Sequence, residues 1–106
     1  MITVNIAKDF TRYPSGRYKK NGTTSGEAFR EQLLEEPLSR EERVTVEFDG
    51  TIGYGSSFLE EAFGGLVRKT KIPQATLAEL LSLASSDKSI VAEVNQYISE
   101  AYKNIR

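Results

Sequence analysis

Ser56 and Ser57 stand directly after Gly53-Tyr54-Gly55 and directly before a run with helical apolar spacing, which predicts two adjacent hydroxyls at a helix entrance. The first N–H groups of a helix lack internal partners, and the helix dipole adds partial positive charge there. Such a place suits a capping hydrogen bond, a bound anion or a phosphoserine. Ser57, with Glu60 three residues on, fits a capping box, so capping explains Ser56 less well. Ser56 and Ser57 are therefore candidate phospho-acceptors, and Tyr54, Gly55, Ser56 and Glu60 form a candidate partner-contacting corner. A second set is basic. Arg12, Arg17 and Arg30 are candidate anion contacts, because two guanidinium groups can each bind one phosphate in bidentate fashion. A solvated basic loop, with Lys19 and Lys20, is the alternative reading.

Other chemistry is excluded by what the chain lacks. With no cysteine there can be no disulfide or thiolate metal site, and with no histidine there can be no Ser-His triad, imidazole base or imidazole metal site. Phe58 and Leu59 follow Ser57 where a nucleophile elbow needs glycine. Gly50, Gly53 and Gly55 match neither the dinucleotide fingerprint nor the P-loop. No enzyme, metal or cofactor is expected. The net charge of −1 argues against a general nucleic-acid binder. No apolar run approaches the roughly 20 residues that span a bilayer, and the start of the chain lacks a signal-like apolar stretch. The reading is a cytosolic protein of 106 residues folding as one domain, with an ordinary 39% apolar content.

The elements that must position these residues alternate between strand and helix. Ile2, Val4 and Ile6 share one face of a first strand, and Val44, Val46 and Phe48 one face of a second over Arg43 to Phe48. Leu80 to Ala84 reads as a third, after a short helical turn at Thr76 to Glu79. Between the first two, Asp9 to Thr24 carries the turn signals Pro14-Ser15-Gly16 and Asn21-Gly22 and predicts a hairpin-like basic excursion. Thr24 with Glu27 fits a capping box for a helix bearing Phe29, Leu33 and Leu34, which ends at Glu36 because Pro37 disfavours continuation. The helix after the serine pair carries Phe58, Leu59, Ala62, Phe63, Leu66 and Val67 on one stripe. Gly64 and Gly65 inside it predict close approach of another backbone or a local bend. A last helix from about Asp87 carries Ile90, Val91, Val94, Ile98, Ala101, Tyr102 and Ile105. Because all three strands alternate, the helices are expected mainly on one side of the sheet. The other face is then polar or shared with a partner, including a second copy.

Ser25-Gly26-Glu27 with Phe29-Arg30, Phe48-Asp49-Gly50 and the block from Ser56 to Gly64 (Ser-Ser-Phe-Leu-Glu-Glu-Ala-Phe-Gly) resemble the STAS-like domain family. More distantly the chain is similar to the STAS domains of bacterial anti-sigma-factor antagonists. That resemblance implies an α/β fold with a mixed sheet and helices on one face. It also implies a regulatory switch in which a histidine-kinase-like ATPase, itself an anti-sigma factor, phosphorylates a serine at the corresponding helix entrance. The antagonists' Asp-Ser-Ser-Gly falls on Gly55-Ser56-Ser57-Phe58 and so points to Ser56. The competing reading is a small-molecule or nucleotide phosphate-binding module built from the basic hairpin and a helix N-terminus.

Overall fold

Val44–Glu47 forms the central strand, β2, between β1 (Ile2–Asn5) and β3 (Leu81–Ala84). The computed structural model describes residues 1–104, so Ile105, expected on the last helical stripe, lies outside the described residues. Ile2 aligns with Val44 and Leu81, and Val4 with Val46 and Leu83, which gathers the apolar side chains on one face. Thr3, Thr45 and Ser82, then Asn5, Glu47 and Ala84, lie across the other face. The alternation in the sequence thus reads out directly as one helix-covered face and one polar face.

The α/β class holds, but the sheet of the described residues is wholly parallel rather than mixed. Each connection between strands carries a helix that returns the chain to the same end of the sheet, as parallel pairing requires. The Asp9 to Thr24 excursion contributes no strand. It is a loop with a 3₁₀ turn at Lys19–Asn21, closed by Ser15 N–H to Thr24 C=O, Gly26 N–H to Gly16 C=O and Glu27 N–H to Arg17 C=O. β1 also stops earlier than its alternation suggests. Asn5 caps a short helix, Ile6–Asp9, by accepting from Lys8 N–H, while Asp9 accepts from Asn5 N–H.

Two long helices each contain a widened π turn. The first runs over 26–39 as Gly26–Phe29, the π turn Arg30–Leu34 and Glu35–Ser39. The second runs over 56–70 as Ser56–Leu59, the π turn Glu60–Gly64 and Gly65–Thr70. The first does not end at Glu36. Glu35 N–H reaches back to Arg30 C=O, and this shift in bonding register precedes Pro37, which has no N–H to place. Its cap is Ser25 rather than Thr24: Ser25 Oγ accepts from Ala28 N–H at 3.1 Å. Glu27 instead accepts from the Lys19 N–H.

Helix Gln74–Leu80 is longer than the predicted turn and passes directly into β3, and helix Lys88–Lys103 starts at the Asp87 cap. The core joins the sheet to the helices through Phe29, Phe48, Phe58 and Phe63, with ring centroids 5.8 Å apart for Phe29–Phe58 and 5.7 Å for Phe48–Phe63. Full burial of such a side chain stabilises the fold by about 1.5–3 kcal/mol.

Candidate functional site

The chain leaving β2 is fixed before it reaches the serine pair. Gly50 takes φ +105°, which an Asp-Gly turn demands, and the Asp49 carboxylate then crosses to the loop after β3. There it accepts from Ser86 N–H and Ser86 Oγ at 3.0 Å each and from Ser85 Oγ at 3.3 Å. The backbone bond from Ser86, backed by its hydroxyl, holds the Asp49 carboxyl below its usual range. Ile52 N–H bonds to Arg12 C=O at 3.0 Å and ties this loop to the one before the first long helix. Tyr54 donates to Phe48 C=O at 2.6 Å, with its ring edge-on to Phe48 and tilted against Phe58. Burial pushes its phenol pKa up. Tyr54 is therefore a strut under the corner, half-buried rather than free.

Gly55 is the N-cap of the 56–70 helix, in extended backbone and without a side chain to offer. Ser56 and Ser57 follow as its first two residues, both exposed. The Ser57–Glu60 capping box does not form, because the helix begins two residues before Ser57 would cap it. Among the described residues neither serine hydroxyl has a hydrogen-bond partner at the entrance.

Glu60, one turn along the same helix, is held in ion pairs. It pairs with Arg17 Nη1, and with Arg68 Nη1 at 2.7 Å and Nη2 at 3.2 Å. The hydrogen bond from Arg68, with Arg17 adding to it, lowers the Glu60 pKa against the opposing effect of burial. Glu61 lies behind it and is met by the buried Arg30, whose Nη2 is 2.9 Å from Glu61 Oε2 and whose Nε donates to the Glu61 carbonyl at 3.3 Å. Arg30 Nη1 also pairs with Glu35. A Cβ at Gly65 would stand 2.9 Å from both Arg30 Nε and Glu61 Oε2. Gly64 ends the π turn and Gly65 follows it, and the absence of a side chain at Gly65 makes room for the ion pair. The close backbone approach is at Gly26, where a Cβ would collide with Phe58 C=O and lie 3.0 Å from Ala62 N.

The candidate anion set is not a cationic cradle. Arg30 is 1% exposed and Arg17 is bound to Glu60, while Arg12 is exposed and joins the corner through its carbonyl. Lys19 is paired with Glu31, and Lys20 lies over the Tyr18 ring. Sequence reasoning missed two exposed apolar residues, Tyr13 (62%) and Ile52 (78%), on the two loops joined by the Arg12–Ile52 bond. Their signal was present, since each is a large apolar side chain between turn residues with no periodic partner. Among the described residues there is no cluster of acidic side chains able to hold a metal ion, and no helix long and apolar enough to cross a membrane.

A small parallel sheet with helices on one face, and a glycine-capped serine pair opening the helix after its central strand, define an α/β domain with an exposed loop corner beyond β2. The family model described as STAS-like domain of unknown function (DUF4325) matches residues 25–91, from the Ser25 cap to the start of the last helix. The chain belongs to that family. No curated protein and no solved structure matches it.

Proposed function

We propose that the domain is a cytoplasmic regulatory module that acts by binding another protein through the corner formed by Tyr54, Gly55, Ser56 and Glu60. The partner class is a histidine-kinase-like ATPase or anti-sigma factor, and Ser56 is the phospho-acceptor. The observation that carries this reading is the exposed, unengaged pair Ser56 and Ser57 at the helix start, with the capping position taken by Gly55. Membership of the STAS-like family supports the partner class by resemblance to the antagonists.

The chemistry follows from position. Phosphate on Ser56 adds about 1.5 to 2 negative charges near pH 7. Ser56 and Glu60 are one turn apart, with Glu60 N–H bonded to Ser56 C=O, so the new charge is favoured by the helix N-terminus and opposed by Glu60. Arg17 and Arg68 are already engaged by Glu60. The phosphate-binding alternative has less support, because Arg17 and Arg30 already hold carboxylates.

Incubation with such an ATPase from the native host and ATP, followed by mass spectrometry, tests the reading. Phosphate on Ser56, and altered partner affinity in Ser56→Asp, are expected. No phosphate on Ser56 or Ser57, together with unchanged affinity in Ser56→Asp, rejects the switch.

A further inference from the structure

β3 is paired on one side only. Phe48 N–H bonds to Ala84 C=O at 3.0 Å, which sets the phase of the ladder, since alternate residues of a parallel strand turn both backbone groups to the same side. Ser82 and Ala84 face β2. Leu83 therefore turns its N–H and C=O, and Leu81 its C=O, to the outer edge, while Leu81 N–H is taken by Leu77 C=O. Natural sheets guard such edges with charges or proline, and from Leu80 to Ser86 this chain has neither.

Beside the edge lies a groove of about 190 Å³ lined by Leu77, Ala78, Leu81, Leu83, Asn95 and Ile98, and among the described residues no ionisable side chain is in its wall. Leu81 and Leu83 are on the helix-covered face, so a strand laid along β3 would lower every second side chain into this groove.

We infer that the outer edge of β3 receives an extended, uncharged segment of a partner protein, paired to the backbone of Leu83 and anchored by an aliphatic side chain in the groove. Unpaired strand N–H and C=O groups are matched by another extended backbone; a helix satisfies its own. The neutral wall offers no counter-charge, so ionised side chains are disfavoured at the anchoring positions. A second copy is a poorer occupant. Four residues of edge paired with their own copy fall far short of the roughly 800 Å² per partner that stable dimers bury. The groove shares no lining residue with the Ser56 corner and stands independently of the reading given above.

A phage-displayed library of random nonapeptides, selected against the full chain, is the probe. Enriched sequences are expected to carry aliphatic residues at alternate positions. A synthetic copy should slow hydrogen exchange of the Leu83 amide at least tenfold. Its affinity should fall at least tenfold when alternate backbone amides of the peptide are N-methylated, and again in Ala78→Arg, an exposed wall position whose substitution leaves the core intact. Asn95→Arg, on the opposite wall, repeats the block independently. No enrichment, equal binding to both arginine variants, an unprotected Leu83 amide, or sedimentation showing the edge occupied by a second copy would overturn the inference.

Discussion

Arg30 and Glu61, 31 residues apart in the chain, form a buried ion pair in which the Arg30 guanidinium binds both the carboxylate and the backbone carbonyl of Glu61. Each residue belongs to the π turn of its own helix, so the pair joins the two places where helical bonding is widened. Burying a charge is expensive, and removing one partner from a buried pair strands the other, at about 3–5 kcal/mol. Arg30→Ala should destabilise the domain by that amount in urea denaturation, whereas Arg30→Met combined with Glu61→Met should lose much less. A single-variant loss below about 1 kcal/mol would show that Arg17, Arg68 and water already satisfy the Glu61 carboxylate.

The backbones of the two helices approach closely at Gly26. A methyl group there meets Phe58 C=O and Ala62 N, which are backbone atoms that cannot swing aside. Gly26→Ala should therefore destabilise by about 1–3 kcal/mol through overpacking, despite alanine's better helix propensity. Gly53→Ala, where a Cβ meets nothing within 4 Å, should change stability little. Thermal melts of both variants compare the two directly, and equal melting temperatures would refute the close approach.

Periodicity made most of this fold legible. Val44 and Val46, the stripe from Phe58 to Val67 and the last helix are where spacing placed them, because burying one face of a strand or helix leaves a period in the sequence. Strand direction left no such trace, since alternation reports which face is covered and not which way a neighbour runs. Arg30 is the clearest miss. It sits between Phe29 and the buried Leu34, but a charged residue looks solvated until its partner is known, and Glu61 is remote in sequence. The double glycine that makes room for the pair was visible as an anomaly; its cause was not. At the candidate site, the helix entrance and the exposed hydroxyls were legible, and the capping residue was off by two.

Glu60 gives the domain a signature in acid. Its pKa is depressed in the fold, chiefly by the hydrogen bond from Arg68, so its ionised form adds stability above the ordinary value of 4.5 that is lost as pH falls through the lower folded value. Because the group is partly exposed, the effect is about 1 kcal/mol or less. The melting temperature of the wild type should exceed that of Glu60→Gln at pH 7, with the gap closing as pH falls below 4.5. A gap independent of pH, or one that widens in acid, would remove Glu60 from the ion-pair network.

Ser25, the cap found in place of the expected Thr24, and Ser57, a cap expected from sequence, should differ in what they contribute to stability. Ser25 is fully buried and its hydroxyl accepts the Ala28 N–H, so Ser25→Ala should lose about 0.5–2 kcal/mol, and Ser25→Asn less if the amide oxygen finds the same donor. Ser57 is exposed, caps nothing and lies inside the helix that Gly55 begins, so Ser57→Ala should stay within about 0.5 kcal/mol of wild type. If urea titrations instead give Ser57→Ala the larger loss, the helix begins two residues later than described. Ser57 would then be the cap and Ser56 would be left in the preceding loop, outside the field of the helix N-terminus on which the phospho-switch depends.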